Sequence, residues 1–496
     1  MPSASIAANR FGLGGLPGDM PGIDPRDWLR RQLSAYEPRP QPIAALPATA
    51  QIAGELAEYF ERLREIRQRN GGPRRRPAAT PPQMTMQPTP DEAMSGKDDA
   101  QDPAAEARRF ARRQGRDHYA GAVAARTNVA LTSPAPFVER LVHFWSNHFA
   151  ISADKLEVIG LTGAFEFEAI RPHVLGSFGA MLHAVERHPA MLLYLDQAQS
   201  IGPGSAAGLI AQRRRAGQRA GLNENLAREI LELHTLGVRT GYGQADVTEF
   251  ARAMTGWTVA GLGRDRGARF AGTEGAPGSF VFAGRLHEPG ARAILGKSWP
   301  QQGEDQAGAV LDMLAVHPAT ARHISTKLAR HFASDDPPPA LVARLEAAFL
   351  KSGGDLPTLY RALIDSPECW APQPAKFKSP WEWTVSALRA LGTQQVQPAA
   401  ATGLLSQLGQ PVWRPGSPAG WDDVAAAWAG PDAVMRRVEA AERMAQRTRD
   451  TIDARVRAAE LFPGALSETT AQAIARAESP GQGIALMLVA PEFLRR

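Results

Sequence analysis

A chain of 496 residues with 44% apolar and 22% charged side chains has the composition of a globular protein, and at this length folding buries roughly three quarters of the unfolded surface, enough for one large core or two packed domains. The net charge of +5, from 56 basic and 51 acidic residues spread along the sequence, argues for solvated surface charge and against a nucleic-acid partner. Cys369 is the single cysteine, which excludes an internal disulfide and any multi-cysteine zinc or iron–sulfur site.

The first residues, MPSASIAANRFGLGG, contain no cationic start followed by an apolar run. Nowhere do eighteen apolar residues follow one another, so the expectation is a cytoplasmic protein with no membrane span, exported only with a signal-bearing partner. RFGLGGLPG, from Arg10, has the glycine density of a phosphate loop but lacks its lysine and flanking strand and helix, and reads as a turn. Helices are expected over 24–33 and 52–67. Residues 68–105, rich in Pro, Gly and charge, cannot bury enough apolar surface to offset their ordering entropy. They read as a disordered insertion between an N-terminal helical segment, 1–67, and the main body of the same domain, 106–496. Its Arg74 to Arg76 triplet reads as a solvated loop.

Beyond the insertion, helical periods cover about 104–127, 135–149, 160–171, 177–186, 222–237, 245–256, 305–316, 320–332, 341–351, 356–364, 380–391, 422–428 and 432–449, with two more near the end. Residues 200–220 read as a second mobile connection, and 269–283, RFAGTEGAPGSFVFA, as a small hairpin. PVWRPGSPAGW, ending at Trp421, is too rich in Pro and Gly for a helix and is expected to be an ordered loop sealing one side of the fold. The fold class is therefore mainly α: a multi-helical, bundle-like domain with a small inserted β-hairpin, packed around the 223–237 helix.

That helix, NENLAREILELHTLG, carries the densest polar pattern in the chain. At roughly 100° per residue, Leu226, Ile230, Leu233 and Gly237 form one apolar line, with Glu224 and Arg228 opposite. Glu224, Arg228 and Glu232 have the spacing of an exposed ion ladder. Glu229 borders the apolar line instead, which makes it the best candidate for a functional acid or base; the structural alternative is a carboxylate that ties down neighbouring backbone N–H groups. Asn223, Glu229 and His234 are accordingly the candidate catalytic residues, with His148 and His287 as further walls of such a pocket.

Metal ligation from a regular helix is excluded for Glu229 with His234 and for His143 with His148, because five residues separate each pair and roughly 140° divides them. A divalent ion would have to be held across helices, by His148, Glu229 and His287; otherwise no cofactor is expected. On the 320–332 helix, His323, Lys327, Arg330 and His331 share one face within about 100°. His323, Lys327 and Arg330 are candidates for binding an anion, against the alternative of pairing with Asp335 and Asp336. Trp257, Trp381, Trp383, Trp413 and Trp421 read as core packing. Ser146 in FWSNHF lies in no nucleophile elbow.

The stretches RFGLGG, FWSNHF (144–149), NENLAREILELHTLGV, HEPGARAILG (287–296), HPATARHISTKLARHFASDDPP (317–338), KSPWEWTVSALRALG (378–392) and LGQPVWRPGSPAGW (408–421) resemble, in order, the signature blocks of a bacterial domain-of-unknown-function family, number 1800. The resemblance spans Arg10 to about Ala445. It implies no reaction. Members of that family are often encoded beside proteins resembling the alkaline phosphatase and sulfatase superfamily, which implies an accessory or binding protein acting with such a partner. The rival expectation is a hydrolytic or metal-assisted enzyme with a His/Glu/Asn pocket between helices.

Overall fold

The computed structural model describes residues 2–16, 23–69, 102–214, 221–262, 275–448 and 451–496. These fold mainly into α-helices, joined by two antiparallel two-stranded ladders. No helix among the described residues is long and apolar enough to cross a membrane.

Many helices begin with proline at the first turn, where its missing N–H costs nothing, behind a cap that accepts the free N–H groups. His317 Nδ1 caps Pro318–Phe332 by accepting from Ala319 N at 3.1 Å. Ser379 caps Pro380–Ala390 in a reciprocal box with Glu382, whose Oε2 accepts the Ser379 N–H at 2.9 Å. These two helices later supply opposite walls of a cavity.

Of the 68–105 insertion, 70–101 lie outside the described residues. Its flanks are helical: Thr49–Arg69 continues through Gln68, and Pro103–Thr132 has begun by Ala105. The connection expected over 200–220 contains the helix Ala206–Arg214, with 215–220 outside the described residues. The upstream arm of the expected hairpin, up to 274, also lies outside them. Its downstream arm, β2 (Phe280–Phe282), pairs with β1 (Trp257–Val259), Trp257 standing opposite Phe282. A second ladder, β3 (Arg292–Ile294) with β4 (Lys297–Trp299), follows in the HEPGARAILG block.

Both halves of the molecule meet on Pro136–His148, not on the 223–237 helix. Every residue of the former is buried except His143 and Asn147, which are partly so. Its polar side chains reach outward in all directions: Glu139 to Arg171 at 2.6 Å, Arg140 Nε to the Gly12 carbonyl at 2.7 Å, Trp145 Nε1 to Tyr360 at 2.7 Å, and His148 to the His234 carbonyl at 3.1 Å. One apolar cluster runs from Ile6 to Cys369, a second from Phe377 to Leu494, and a small third, with Leu13, Val385 and Trp413, lies between them.

The basic residues are not all solvated, as composition had suggested. Arg10, Arg140, Arg171, Arg389, Arg437 and Arg496 are among the largest fully buried side chains. Most donate to carbonyls distant in sequence: Arg10 to Cys369 and Gln373, Arg389 to Gly14, Ala130 and Leu131, Arg437 to Lys378 and Trp428. A guanidinium offers five donors and so ties several chain segments at once. Of the glycine-rich RFGLGG, Arg10 and Phe11 end the π-helix Ala7–Phe11 and the chain bends over 12–14, and it is one of the segments tied in this way.

Candidate functional site: a cationic, tryptophan-lined cavity

The 223–237 segment is not one regular helix. Asn225–Glu229 is α-helical, and Ile230–His234 is a π-helical turn. The wider turn rotates the chain around its axis, so the buried residues are Ile230, Leu231 and His234, while Leu233 is only partly buried. A π-turn also leaves carbonyls at its end without helical partners. Two histidines from other helices donate to them: His148 Nε2 to the His234 carbonyl and His323 Nε2 to the Leu233 carbonyl, each at 3.1 Å. Gly237, at φ +94°, gives His323 room, since a β-carbon there would lie 3.0 Å from Nδ1. His234 itself pairs through Nδ1 with Glu186 Oε1 at 2.8 Å, both fully buried.

These contacts separate the residues singled out in the sequence. Asn223 donates to the Leu195 and Asp196 carbonyls at 3.2 Å, accepts from Asn225 N at 2.9 Å, and so shapes the start of its helix. Glu229 makes no hydrogen bond among the described residues; burial raises its pKa. The expected ladder forms, Arg228 pairing with Glu224 at 3.3 Å and with Glu232 at 3.8 Å, and Glu224 accepts in addition from Thr248 at 2.7 Å and Gln244 at 2.8 Å. His287 Nδ1 donates to the Thr255 carbonyl at 2.9 Å, beside Phe282. His148, Glu229 and His287 are therefore not brought together, and among the described residues no three His, Cys, Asp or Glu side chains are placed to hold a metal ion.

A different set converges. A cavity of about 270 Å³ lies where FWSNHF, the Pro318–Phe332 helix, the KSPWEW block and the 408–421 loop meet. Lys327, Arg330 and His331 line one wall; His323, on the same helix, is not in the lining and bonds the Leu233 carbonyl of the π-turn instead. The alternative pairing with Asp335 and Asp336 is only partly made. Arg330 donates to the Asp335 carbonyl at 3.2 Å, while the Asp335 carboxylate accepts from Lys376 at 2.6 Å. Neither Lys327 nor Arg330 forms an ion pair among the described residues. Burial pushes the Lys327 ammonium down to about 8.

The carboxylates on the wall are largely spent. Burial alone would raise Glu382, but Arg496 and Arg140 hold it well below the ordinary range, Arg496 at 2.8 Å. Asp423 is likewise held low against burial, by His331 Nδ1 at 2.8 Å and Lys376 at 3.1 Å. Asp422 is exposed.

Three tryptophans complete the site. Trp381 donates its indole N–H to His143 Nδ1 at 3.1 Å, which fixes the proton on His143 Nε2, a buried donor with no partner among the described residues. Arg126 lies over Trp381 at 4.2 Å and near Trp413 at 5.4 Å, with Nε on Glu166. Trp413 donates to Glu166 Oε2 at 3.0 Å and Ser146 at 3.2 Å and has φ +50°, a strained value for a bulky residue. The 408–421 loop does seal one side: Trp421 N and carbonyl bond Asn147 at 2.7 and 2.8 Å. This loop closes the cavity over the Pro136–His148 helix.

Five of the signature blocks thus line one cavity, RFGLGG contributing Leu13, and a family model described as a protein of unknown function (DUF1800) matches residues 6–495. The chain belongs to the DUF1800 family. No curated protein and no solved structure matches it. In this DUF1800 chain, Arg126, Arg140, His143, Trp381 and Trp413 were missed as site residues by sequence reasoning. The available signal was the pairing of an aromatic with a polar residue in the FWSNHF, KSPWEW and PVWRP blocks; Arg126, in an ordinary helical stretch, gave none.

Proposed function

We propose that this DUF1800 protein is a binding protein whose cavity takes a small hydroxylated anion: a carboxylate, or a sulfate or phosphate ester. The observation that carries the reading is a set of donors lining one cavity: the Lys327 ammonium, which forms no ion pair among the described residues, the Arg330 guanidinium, which bonds the Asp335 carbonyl through Nε alone, and the buried His143 Nε2 and Arg140 Nη2 groups, which have no partner among the described residues. Such groups recognise anions through charge-assisted hydrogen bonds. His148, kept neutral by burial and already donating through Nε2, offers Nδ1 as an acceptor for a ligand hydroxyl. The cavity of about 270 Å³ equals the share of roughly nine liquid waters, the size of one small polar ligand. A strained Trp413 at its edge fits the tendency of backbone strain to sit at binding sites.

The implied partner of the phosphatase and sulfatase superfamily acts on esters of this same charge. We infer an accessory role in which the chain holds such an ester or its product. Glucose 6-phosphate, glucose 6-sulfate and glucose test the site. Calorimetry is expected to show saturable binding of one or both charged sugars, no binding of glucose, and at least tenfold weaker binding in Lys327→Met. Absence of anion binding, or undiminished binding in that variant, would overturn the reading. Co-purification with a protein of the phosphatase and sulfatase superfamily tests the partner separately.

The His331–Asp423 pair favours a second reading, acid–base hydrolysis. A buried imidazole with lowered pKa, oriented by a carboxylate on the cavity wall, has the attributes of a general base. Turnover of 4-nitrophenyl phosphate or sulfate that disappears in His331→Gln would establish it in place of simple binding.

A further inference from the structure

A second cavity, of about 750 Å³, opens among the helices Pro380–Ala390, Pro398–Gln407 and Pro431–Arg447 and shares no lining residue with the first. Its volume lies within the range of roughly 300–1,000 Å³ typical of small-molecule sites. Leu388, Leu391, Leu404, Leu405, Met444 and Ile452 give it an apolar floor. Thr384, 2% exposed, also lines it, and its hydroxyl has no hydrogen-bond partner among the described residues.

The charge at the mouth has one sign. Arg443 and Arg447, one helical turn apart and both exposed, line the cavity, and no acidic side chain does so among the described residues. Arg443 reaches Gln407 Oε1 at 2.8 Å; Arg447 makes no hydrogen bond or ion pair among the described residues. An apolar trough ending in two arginines selects a molecule with an aliphatic tail and an anionic head.

We propose that this second cavity binds a single-chain anionic amphiphile of the fatty-acid class, its tail against Leu388, Leu404 and Met444 and its carboxylate at Arg443 and Arg447. The site is independent of the anion-binding cavity.

The test uses the full chain, with dodecanoate below its critical micelle concentration and isothermal calorimetry. One-to-one saturable binding is expected. The Arg443→Glu/Arg447→Glu double variant, altered only at exposed positions, should bind at least tenfold more weakly, and Leu404→Glu should not bind. Dodecyltrimethylammonium, with the same tail and the opposite head, should bind the unaltered chain at least tenfold more weakly than dodecanoate does. Lys327→Met should bind dodecanoate unchanged, which keeps failure of the first cavity's reading distinct from failure of this one. Absence of saturable dodecanoate binding, equal affinity for the cationic amphiphile, or undiminished binding by the double arginine variant would overturn the proposal. Tighter binding of dodecyl phosphate than of dodecanoate would replace the carboxylate by a phosphate head and overturn the assignment to the fatty-acid class.

Discussion

Glu186 Oε1 and His234 Nδ1 stand 2.8 Å apart with both side chains fully excluded from solvent. The histidine of the most polar signature block is thereby committed to a neighbouring helix, Phe178–Arg187, while its carbonyl receives His148. Removing one partner of a buried, hydrogen-bonded pair strands the other, at roughly 1–3 kcal/mol. Glu186→Ala should lower stability by about that much in urea denaturation, and Glu186→Gln, which retains a hydrogen-bonding oxygen, by clearly less. Equal losses in the two variants would show that the side chain's bulk matters and the pair does not.

Glu229 and Glu224 should behave opposite to their ranking by helical position. Burial works against the charged form of Glu229, and no hydrogen bond compensates among the described residues. Glu229→Gln should therefore leave the melting temperature unchanged or raise it. Glu224 accepts from Thr248, Gln244 and Arg228, and Glu224→Ala should cost about 1 kcal/mol. Thermal melts of the two variants side by side decide between these outcomes; a larger loss at Glu229 would contradict its placement without a hydrogen-bond partner.

Anion binding should depend on the Lys327 proton. With the ammonium pushed down to about 8, the free protein presents a charged donor below that pH and a neutral amine above it. Affinity for glucose 6-phosphate should fall as pH rises through about 8, and by far less in Lys327→Arg, whose charge persists. A bound anion favours the protonated form, so proton uptake should accompany binding at pH 8 to 9, measurable as a buffer-dependent heat.

Acid should weaken the fold in a defined window. Burial lowers His323 to about 4 and His188 to about 3, and puts His148 well below the ordinary histidine range. In the unfolded chain these residues protonate near 6.5. Below that pH the unfolded state therefore binds more protons than the folded one, and stability, complete above about 6.5, declines as pH falls toward 4 and then 3. The depressed carboxyls of Asp423 and Glu382 extend the loss at lower pH. Urea midpoints measured from pH 7 to 4 should drop throughout; a flat profile would mean that these histidines are solvated.

Gly420 should be essential to closure of the first cavity. It has φ +79°, and a β-carbon would lie 2.3 Å from the Asn147 carbonyl oxygen. Gly420→Ala must displace the loop from the Pro136–His148 helix, at roughly 1–3 kcal/mol for strain and overlap. Fluorescence of Trp413 and Trp421 should shift to the red and anion affinity should fall, with the circular dichroism of the helices unchanged.

The helical fold was legible because its signals are local: apolar spacing, proline at first turns, Ser and His caps. The site was not, for two physical reasons. Periodicity assumes 3.6 residues per turn, and one π-turn at Ile230–His234 rotated Leu233 outward and His234 inward. The cavity, in turn, is assembled from segments up to hundreds of residues apart, so that Arg126 acquires its role only beside Trp381 and Trp413. Lys327 and Arg330 were visible because they share a helical face, whereas His323, on the same face, is drawn to the Leu233 carbonyl.

The buried guanidinium of Arg10 bonds a carbonyl 359 positions downstream, and this has a consequence for synthesis on the ribosome. At roughly 5–20 residues per second, about 20–70 s separate the emergence of Arg10 from that of Cys369. During that time the N-terminal segment holds a cation that no water-free environment can yet accept. The RFGLGG turn cannot dock until the Pro380–Ala390 helix supplies Ser386 and Arg389, whose side chains bond the Leu13 and Gly14 carbonyls. The segment around Arg10 is thus made long before it is fixed, and a nascent chain stalled before about residue 390 should leave it open to protease.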